Sequence, residues 1–473
     1  MRSAGARRLT LISPGARVPG GHKCGALRGE PLLLRCRLLL PCASCSPLTG
    51  VAVYVEDGRI GYIGDGPPAG AKRGAVVDCP RYAVAMPCLY NAHTHAAMTL
   101  LRGFHDDSEL HEWLERMWHV EKRVTPDVAY HASLLAVVEM ASTGTCGFMD
   151  MYFWPHETLR AARELGLRAR LGPVIMGDVD PYKAVEEAVR FARSLQGDPL
   201  AGGVVNVHSI YAAPLEAVRE GYRAAEELGV PFHIHVSETR REVYEAKKRF
   251  GKFPVELLES LGALGPRAVL VHAGWIASWE LEAVRRAGAS LVHCPTSNMK
   301  LATAGSFPLY EAMESGVNVA LGTNGPASNN SLDMIREAKT GLLLQRHSYW
   351  DTRVKARHLL EAATRGGARA MGVRGAGAIE PGAPADILVL DLSRPWSLPL
   401  RADNLASALL YSAAGGDTLY TIVDGRPVYT PENRERLWSL AERSAEQLNR
   451  FLERIGEGRD PEPPCSPPQA CSR

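Results

Sequence analysis

No stretch of this chain approaches the roughly 20 consecutive apolar residues of a membrane span. An excess of one charge is also missing: 54 Lys and Arg stand against 52 Asp and Glu, a net charge of +2. That balance excludes a general nucleic-acid binder and gives no pull toward a membrane surface. The chain has 10 cysteines, but no second pair at zinc spacing joins the CxxC of Cys42 and Cys45. A metal or redox role for that pair is therefore weakly supported. Cys88, Cys146 and Cys294 stand in apolar, strand-like stretches and read as buried thiols. The overall pattern is that of reduced thiols in a cytoplasmic protein. The first 29 residues contain no acid, although Arg2, Arg7, Arg8, Arg17, Lys23 and Arg28 are among them. They lack both the amphipathic pattern of a transit peptide and the apolar core of a secretory signal. Residues 1–30 thus read as a disordered extension, or as a start placed too far upstream, and Pro-rich 457–473 as a disordered tail. No repeat is visible beyond an alternation of strands and helices.

With 473 residues, 46% of them hydrophobic, the chain can build one large domain and a smaller one. Between about 84 and 325 lie eight short apolar runs: "AVAMPCLY", "GTCGFMD", "RARLGPVIM", "GGVVNVH", "VPFHIHV", "RAVLVHA", "ASLVHC" and "VNVALGT". Short, almost wholly apolar runs are the mark of strands buried on both faces. Segments such as "VAYHASLLAVVEMAST" and "PYKAVEEAVRFARSLQ" between them have helical spacing. Eight such units predict an α/β fold, a (β/α)8 TIM barrel, over 84–375. Around it, "VAVYVEDGRIGYIG" (within 31–83), "ADILVLDL" and "TLYTIVDGRPVY" (within 376–430) alternate like hairpin strands. They predict a small β-sandwich domain built from both ends of the chain. A closing helix over 431–456 follows, with Thr430 able to cap it and Pro431 in its first turn.

The ends of the runs carry the chemistry. His93 and His95 follow the first run, Asp150 the second, and His208 ends the fourth. His233, His235 and Glu238 belong to the fifth, His272 to the sixth, "HCPTSN" to the seventh and Asn324 to the eighth. In a barrel all these ends open on one face, where active sites lie. One such histidine is more often structural; a ring of them is hard to explain by packing. Residues i and i+2 of an extended segment point the same way, so His93 and His95 can grip one ion. Imidazoles with an open position suit a catalytic zinc, which lowers the pKa of a bound water to about 7. Glu238, three residues after His235, is either a solvated loop acid or a proton shuttle.

"PCLYNAHTHAAMTLLRG", "HVSETRREV", "HCPTSNMKLA" and "LGTNGPASNNSLDM" resemble the amidohydrolase superfamily. The nearest branch is the one holding 5-methylthioadenosine/S-adenosylhomocysteine deaminases and triazine hydrolases. The resemblance runs from about 50 to 430. It implies one divalent metal ion, zinc by preference, since the fourth run has no lysine to bridge two. It also implies His93, His95 and His235 as metal ligands, with Asn324 where the family has a metal-binding aspartate. His272 would hold the attacking water, Glu238 would shuttle protons, His208 would contact substrate and Glu121 would bind ribose hydroxyls. The implied reaction is hydrolytic deamination of an aminated ring, foremost a 5′-modified adenosine, with release of ammonia. Partners would be a small-molecule substrate and possible further copies of the chain. Trp113 and Trp118 suit either a pocket wall or the core. The arginines that family deaminases place after the third strand are missing, and Lys183 is the nearest cation.

Asn324 is the departure with consequences. An amide can offer a carbonyl oxygen to a metal but has no carboxylate to take a proton from water. Losing a general base typically costs 10²–10⁴-fold in rate. Three outcomes stay open. Another group, Glu238 or His272, takes the proton; the protein binds metal or ligand without turnover; or Asn324, which precedes Gly325, becomes aspartate after translation. Hydrolysis of another amine or halide on an aromatic ring is a further enzymatic alternative.

Overall fold

The computed structural model describes residues 30–456 apart from Glu109 and Ala304. The expected N-terminal extension and the tail 457–473 lie outside the described residues.

The apolar runs form parallel strands in two sheets. One holds Leu89–Thr94, Thr145–Asp150, Arg168–Leu171 and Ala201–Gly203. The other holds Val174–Ile175, Val205–Ser209, Phe232–Val236, Ala268–His272, Ser290–His293 and Asn318–Leu321. Strands such as Phe232–Val236 and Ala268–His272 are buried at every position, as wholly apolar runs in parallel sheets should be. Helices such as Pro181–Ser194 and Leu215–Leu228 show one polar and one buried face, while Pro126–Ser142 is buried almost all round. Several end at a glycine in left-handed conformation, namely Gly166, Gly229, Gly251 and Gly288, where a side chain would be strained.

Three runs divide differently from the sequence expectation. "AVAMPCLY" splits at Cys88. Ala83–Pro87 pairs with the flanking strands, while Leu89–Thr94 joins the parallel ones. The backbone changes partners there: Cys88 N–H donates to Asp386 O and Leu89 N–H to Gly144 O. "RARLGPVIM" and "GGVVNVH" each yield two strands, one in each parallel sheet. Pro173 has no N–H for a ladder, and a Cβ on Gly172 would lie 2.0 Å from Val204 O. The ends of the two sheets meet where Asn324 N–H donates to His93 O at 3.1 Å. A Cβ on Gly322 would sit 2.8 Å from that of His93, so only glycine allows this approach.

Strands from both ends of the chain share an eight-stranded sheet. Its order is Arg426–Tyr429, Thr418–Val423, Ile387–Asp391, Ala83–Pro87, Leu32–Leu39, Leu48–Glu56 and Arg59–Gly64, with Ala75–Asp78 also on Leu32–Leu39. Side chains alternate across it. Val84, Met86, Leu388 and Leu390 join the main core, while Ala83, Ala85, Ile387 and Val389 join a second core on the other face.

The closing helix begins later than expected, at Arg434, and runs to Arg454. Thr430 does not cap it: its Oγ1 accepts from Asn433 N and its N–H donates to Asn433 Oδ1, which makes a turn ahead of the helix. Leu437, Leu448 and Phe451 are buried as its apolar face. The thiol expectation is corrected in part. Cys88, Cys146 and Cys294 are free and buried, but Cys42 is joined to Cys45 and Cys36 to Cys79 as disulfides. Strand Leu32–Leu39 and the segment after its parallel neighbour bring Cys36 and Cys79 to a Cα separation of 5.1 Å, within disulfide reach. Among the described residues no helix is long and apolar enough to cross a membrane.

Candidate metal centre and substrate pocket

At the ends of the parallel strands, His93, His95, His208, His235, His272, Glu238 and Asn324 come together. Ring centroids of His93 lie 4.8 Å from His95, 4.9 Å from His235 and 5.8 Å from His272; His208 lies 4.8 Å from His235. Backbone strain accompanies this convergence. Ser237, His272, Ala273 and Asn324 all have left-handed φ, from 45° to 74°. Such conformations are costly for most residues and collect at functional sites.

Hydrogen bonding fixes which nitrogen of each ring is bare. Asn206 gives its amide hydrogens to the carbonyls of Asp150 and Gly172, so its Oδ1 must face His233 Nδ1, at 3.0 Å. His233 therefore donates from Nδ1 and accepts at Nε2, where His93 Nδ1–H donates over 3.0 Å. The lone pair of His93 is left on Nε2. His95 donates Nδ1–H to Met151 O, and His272 donates Nδ1–H to Asn298 Oδ1 at 2.8 Å. Each of these rings thus keeps a lone pair on Nε2, the arrangement found when a ligand's other nitrogen is held by the protein.

The His93 lone pair faces an acceptor, Asn324 Oδ1, and a second ring nitrogen. His93 Nε2 lies 3.2 Å from His235 Nε2 and 3.3 Å from Asn324 Oδ1. The Asn324 oxygen is identified by Gly325 N–H, which donates to it at 2.9 Å, while Asn324 Nδ2 donates to Ser297 Oγ. Two acceptors as close as His93 Nε2 and Asn324 Oδ1 call for a cation between them. Among the described residues, one group of His, Cys, Asp and Glu side chains is placed to share an ion: His93, His235 and His272, with ligand atoms within 4.8 Å of one another. His95, expected as a ligand, lies beside this trio, and His272, expected on the attacking water, lies within it. Burial, with repulsion from neighbouring imidazoles, pushes the His93 and His235 pKa well down, and burial takes His95 and His272 to about 4. The rings are neutral at pH 7, as metal ligands must be.

Glu238 is buried and lies 3.5 Å from His272 Nε2. Burial alone raises its pKa to about 7. Its position is set by Glu242, which accepts from the backbone N–H of Ser237 and Glu238 at 3.0 and 2.8 Å. Asp150 accepts from Ala96 N–H, bracing the turn after His95. A cavity of about 670 Å³, counting its open mouth, covers the cluster. His95, His208, Glu121, Trp113 and Trp118 all line it, so both tryptophans wall the pocket, Trp113 while also buried in a core. Glu121 is hydrogen-bonded to Tyr152, and burial raises its pKa to about 7. Lys183 points elsewhere, exposed and paired with Asp180 at 3.9 Å.

The sequence reading placed His233 and, within "HCPTSN", Asn298 at strand ends without giving them a role, and the supports Asn206 and Glu242 escaped it. Only Glu242 had a signal, the Thr-x-x-Glu of "TRRE" at a helix start; Thr239 does cap that helix. The polar contacts of Asn206 and His233 join residues far apart in sequence, which no local pattern reveals.

A buried set of neutral imidazoles, an amide oxygen and a carboxyl at parallel strand ends defines the site of a metal-dependent hydrolase. Residues 84–428 match the amidohydrolase family, and the chain belongs to it. The 5′-deoxyadenosine deaminase of Methanosarcina mazei is 40% identical over 382 residues, 79% of this chain and 87% of that protein. The 5-methylthioadenosine/S-adenosylhomocysteine deaminase 1 of Archaeoglobus fulgidus is 39% identical over 380 residues, 79% and 88% of the two chains. Among solved structures, an adenosine deaminase from Xanthomonas campestris with bound zinc superposes with a TM-score of 0.82 at 31% identity. That match covers 89% of this chain and 98% of the other. These likenesses and the site support hydrolytic deamination of adenosine-type substrates with a divalent metal ion.

Proposed function

We propose that the protein deaminates a 5′-modified adenosine, with one zinc ion at the histidine cluster of a closed (β/α)8 barrel. The observation that carries this is the set of Nε2 lone pairs on His93, His95 and His272, each left bare by a hydrogen bond from Nδ1. His93, His95, His235 and Asn324 would hold the ion, with His272 beside them. The ion would supply Lewis acidity and a water of lowered pKa. Glu121 binds the ribose diol, and His208 faces the purine. Glu238, poised near pH 7, takes a proton from water, passes it to the ring nitrogen and then serves the departing amine. Oxygen adds to C6 as the ring nitrogen is protonated; Glu238 then carries the proton of the new C6 hydroxyl to the amine, the C6–N bond breaks, and ammonia and a hypoxanthine nucleoside leave. In this scheme Glu238 also does the work of the missing aspartate, since Asn324 coordinates but holds no proton.

Asn324 itself favours a second reading, a binder of metal and nucleoside without turnover. Ammonia release from 5′-deoxyadenosine and 5′-methylthioadenosine separates the two, with peptide mass confirming that residue 324 is still asparagine. Activity in the wild type, lost 10²–10⁴-fold in Glu238→Gln, supports the deaminase. Activity only in Asn324→Asp overturns it.

A further inference from the structure

The CxxC of Cys42 and Cys45 is a motif that the hydrolase site leaves unused, since none of residues 40–47 lines the substrate pocket. The pair stands in the turn between strands Leu32–Leu39 and Leu48–Glu56, closed as a disulfide. The same sheet carries a second disulfide, and the two differ in what they can contribute. Cys36–Cys79 ties residues 43 apart in sequence, Cys42–Cys45 residues 3 apart. In the chain-entropy view a cross-link restrains the unfolded chain less the shorter its loop. Nor does the turn need the shorter bond. Cys45 N–H donates to Cys42 O at 3.1 Å, Leu40 N–H to Ala85 O at 2.9 Å and Ile379 N–H to Pro41 O at 2.7 Å. Those bonds keep the two cysteines together whether or not their sulfurs are joined.

The two halves of the pair are unequal. Cys45 is exposed, whereas Cys42 is 4% exposed. Access governs which sulfur of a disulfide a thiolate attacks, so attack falls on Cys45 and Cys42 is the leaving sulfur. Ser44 Oγ lies 3.5 Å from Cys42 Sγ. A sulfur in a disulfide has no hydrogen to give, so the hydroxyl is the donor, placed where negative charge gathers as Cys42 leaves. Cys36–Cys79 offers no such opening: Cys36 is buried and Cys79 half-buried. Cys88, Cys146 and Cys294 are buried free thiols and do not compete for an outside reagent.

We propose that Cys42–Cys45 is a site of thiol–disulfide exchange whose co-substrate is a dithiol. One thiolate of the dithiol attacks Cys45 Sγ, the Cys42–Cys45 bond breaks, and Cys42 leaves as a thiolate that takes up a proton. The dithiol's second sulfur then attacks its first, the mixed disulfide breaks, and Cys45 leaves and takes up the other proton. Two electrons pass to the protein and the dithiol ends as a disulfide. The reverse sequence, with a disulfide as oxidant, rejoins the pair. This activity stands apart from the hydrolase reading and does not depend on it.

The test treats the folded, full-length chain with dithiothreitol, traps new thiols at intervals with N-ethylmaleimide and reads the peptides by mass. Cys42 and Cys45 should open together, on the order of 10-fold sooner than Cys36 and Cys79, with the circular dichroism unchanged. Oxidised glutathione should then rejoin them. In Cys42→Ser, Cys45 should react with dithiobisnitrobenzoate on the order of 10-fold faster than Cys42 does in Cys45→Ser. Opening of both bonds at one rate, or only in denaturant, overturns the exchange site. So does a native chain whose Cys42 and Cys45 are free thiols that oxidised glutathione does not join. Faster reaction of Cys42 than of Cys45 overturns the direction of attack. Should a serine variant fail to fold, the wild-type time course decides alone.

Discussion

Strand Leu89–Thr94 connects two buried polar clusters of opposite character. Near its start, Tyr90 and Arg168 meet Asp386 of the flanking sheet. Arg168 donates to both Asp386 oxygens at 2.7 and 3.1 Å, to Asp424 at 2.8 Å and to Pro199 O. Tyr90 and the Asp424 N–H complete the Asp386 carboxylate. At its other end stand the imidazoles, with His235 Nδ1, Ser237 Oγ and Asn298 Nδ2 buried and unpartnered. Native proteins leave few buried polar groups unsatisfied. The first cluster is therefore finished by the chain itself and holds the flanking sheet to the body. The second is finished only by what binds.

Breaking one partner of the finished cluster should give the largest loss of stability. Asp386→Ala leaves the Arg168 guanidinium buried without its main counter-charge, and such breaks cost about 3–5 kcal/mol. Chemical denaturation should read that loss. A mutation at the other end, His235→Ala, should cost the metal-free protein far less, because it removes a neutral ring whose Nδ1 is already unpartnered. Equal losses for the two would end the contrast.

The unfinished cluster should respond through its ligand. His233 holds no ion itself but fixes the tautomer of His93. His233→Leu should weaken metal affinity about 10–100-fold in chelator competition. His233→Gln, which keeps an acceptor for His93 Nδ1–H, should retain most of it. Asn206→Leu should follow His233→Leu. Unchanged affinity in all three would show that the chain from Asn206 to His93 is mere packing.

The contrast also marks what the sequence could disclose. Parallel strands announce themselves as apolar runs because burial on both faces leaves no room for polar residues. The residues that break this rule, His93, His235 and His272, were legible for the same reason, as was the departure at Asn324. Lone-pair directions were not, because they depend on Asn206, Met151 and Asn298, each far away in sequence. Nor was the break at Cys88, since "AVAMPCLY" stays apolar while its hydrogen bonds pass from one sheet to another. The Cys36–Cys79 disulfide escaped likewise, because its cysteines meet only through the pairing of Leu32–Leu39 with Ala75–Asp78.

Glu121 sharpens the comparison at its smallest scale. Asp386 is buried with its counter-charge in place; Glu121 is half-buried with only the Tyr152 hydroxyl, and desolvation lifts its pKa from 4.5 to about 7. Between those values the folded chain keeps a proton that the unfolded chain has released. Stability contributed by this group therefore falls as pH rises from about 4.5 to about 7, and stays low above. Glu121→Gln should remove that dependence. The variant should match the wild type near pH 4 and exceed it at pH 8 by on the order of 1 kcal/mol, allowing for partial exposure. It should also bind adenosine-type nucleosides less well, since the ionised carboxylate is the better acceptor for a diol; wild-type affinity should fall as pH drops below about 7. Denaturation at the two pH values and calorimetric titration across them check both arms. A variant that is no more stable at pH 8 would mean that the site spends nothing to keep this acid unpaired, and that its contrast with Asp386 is one of position alone.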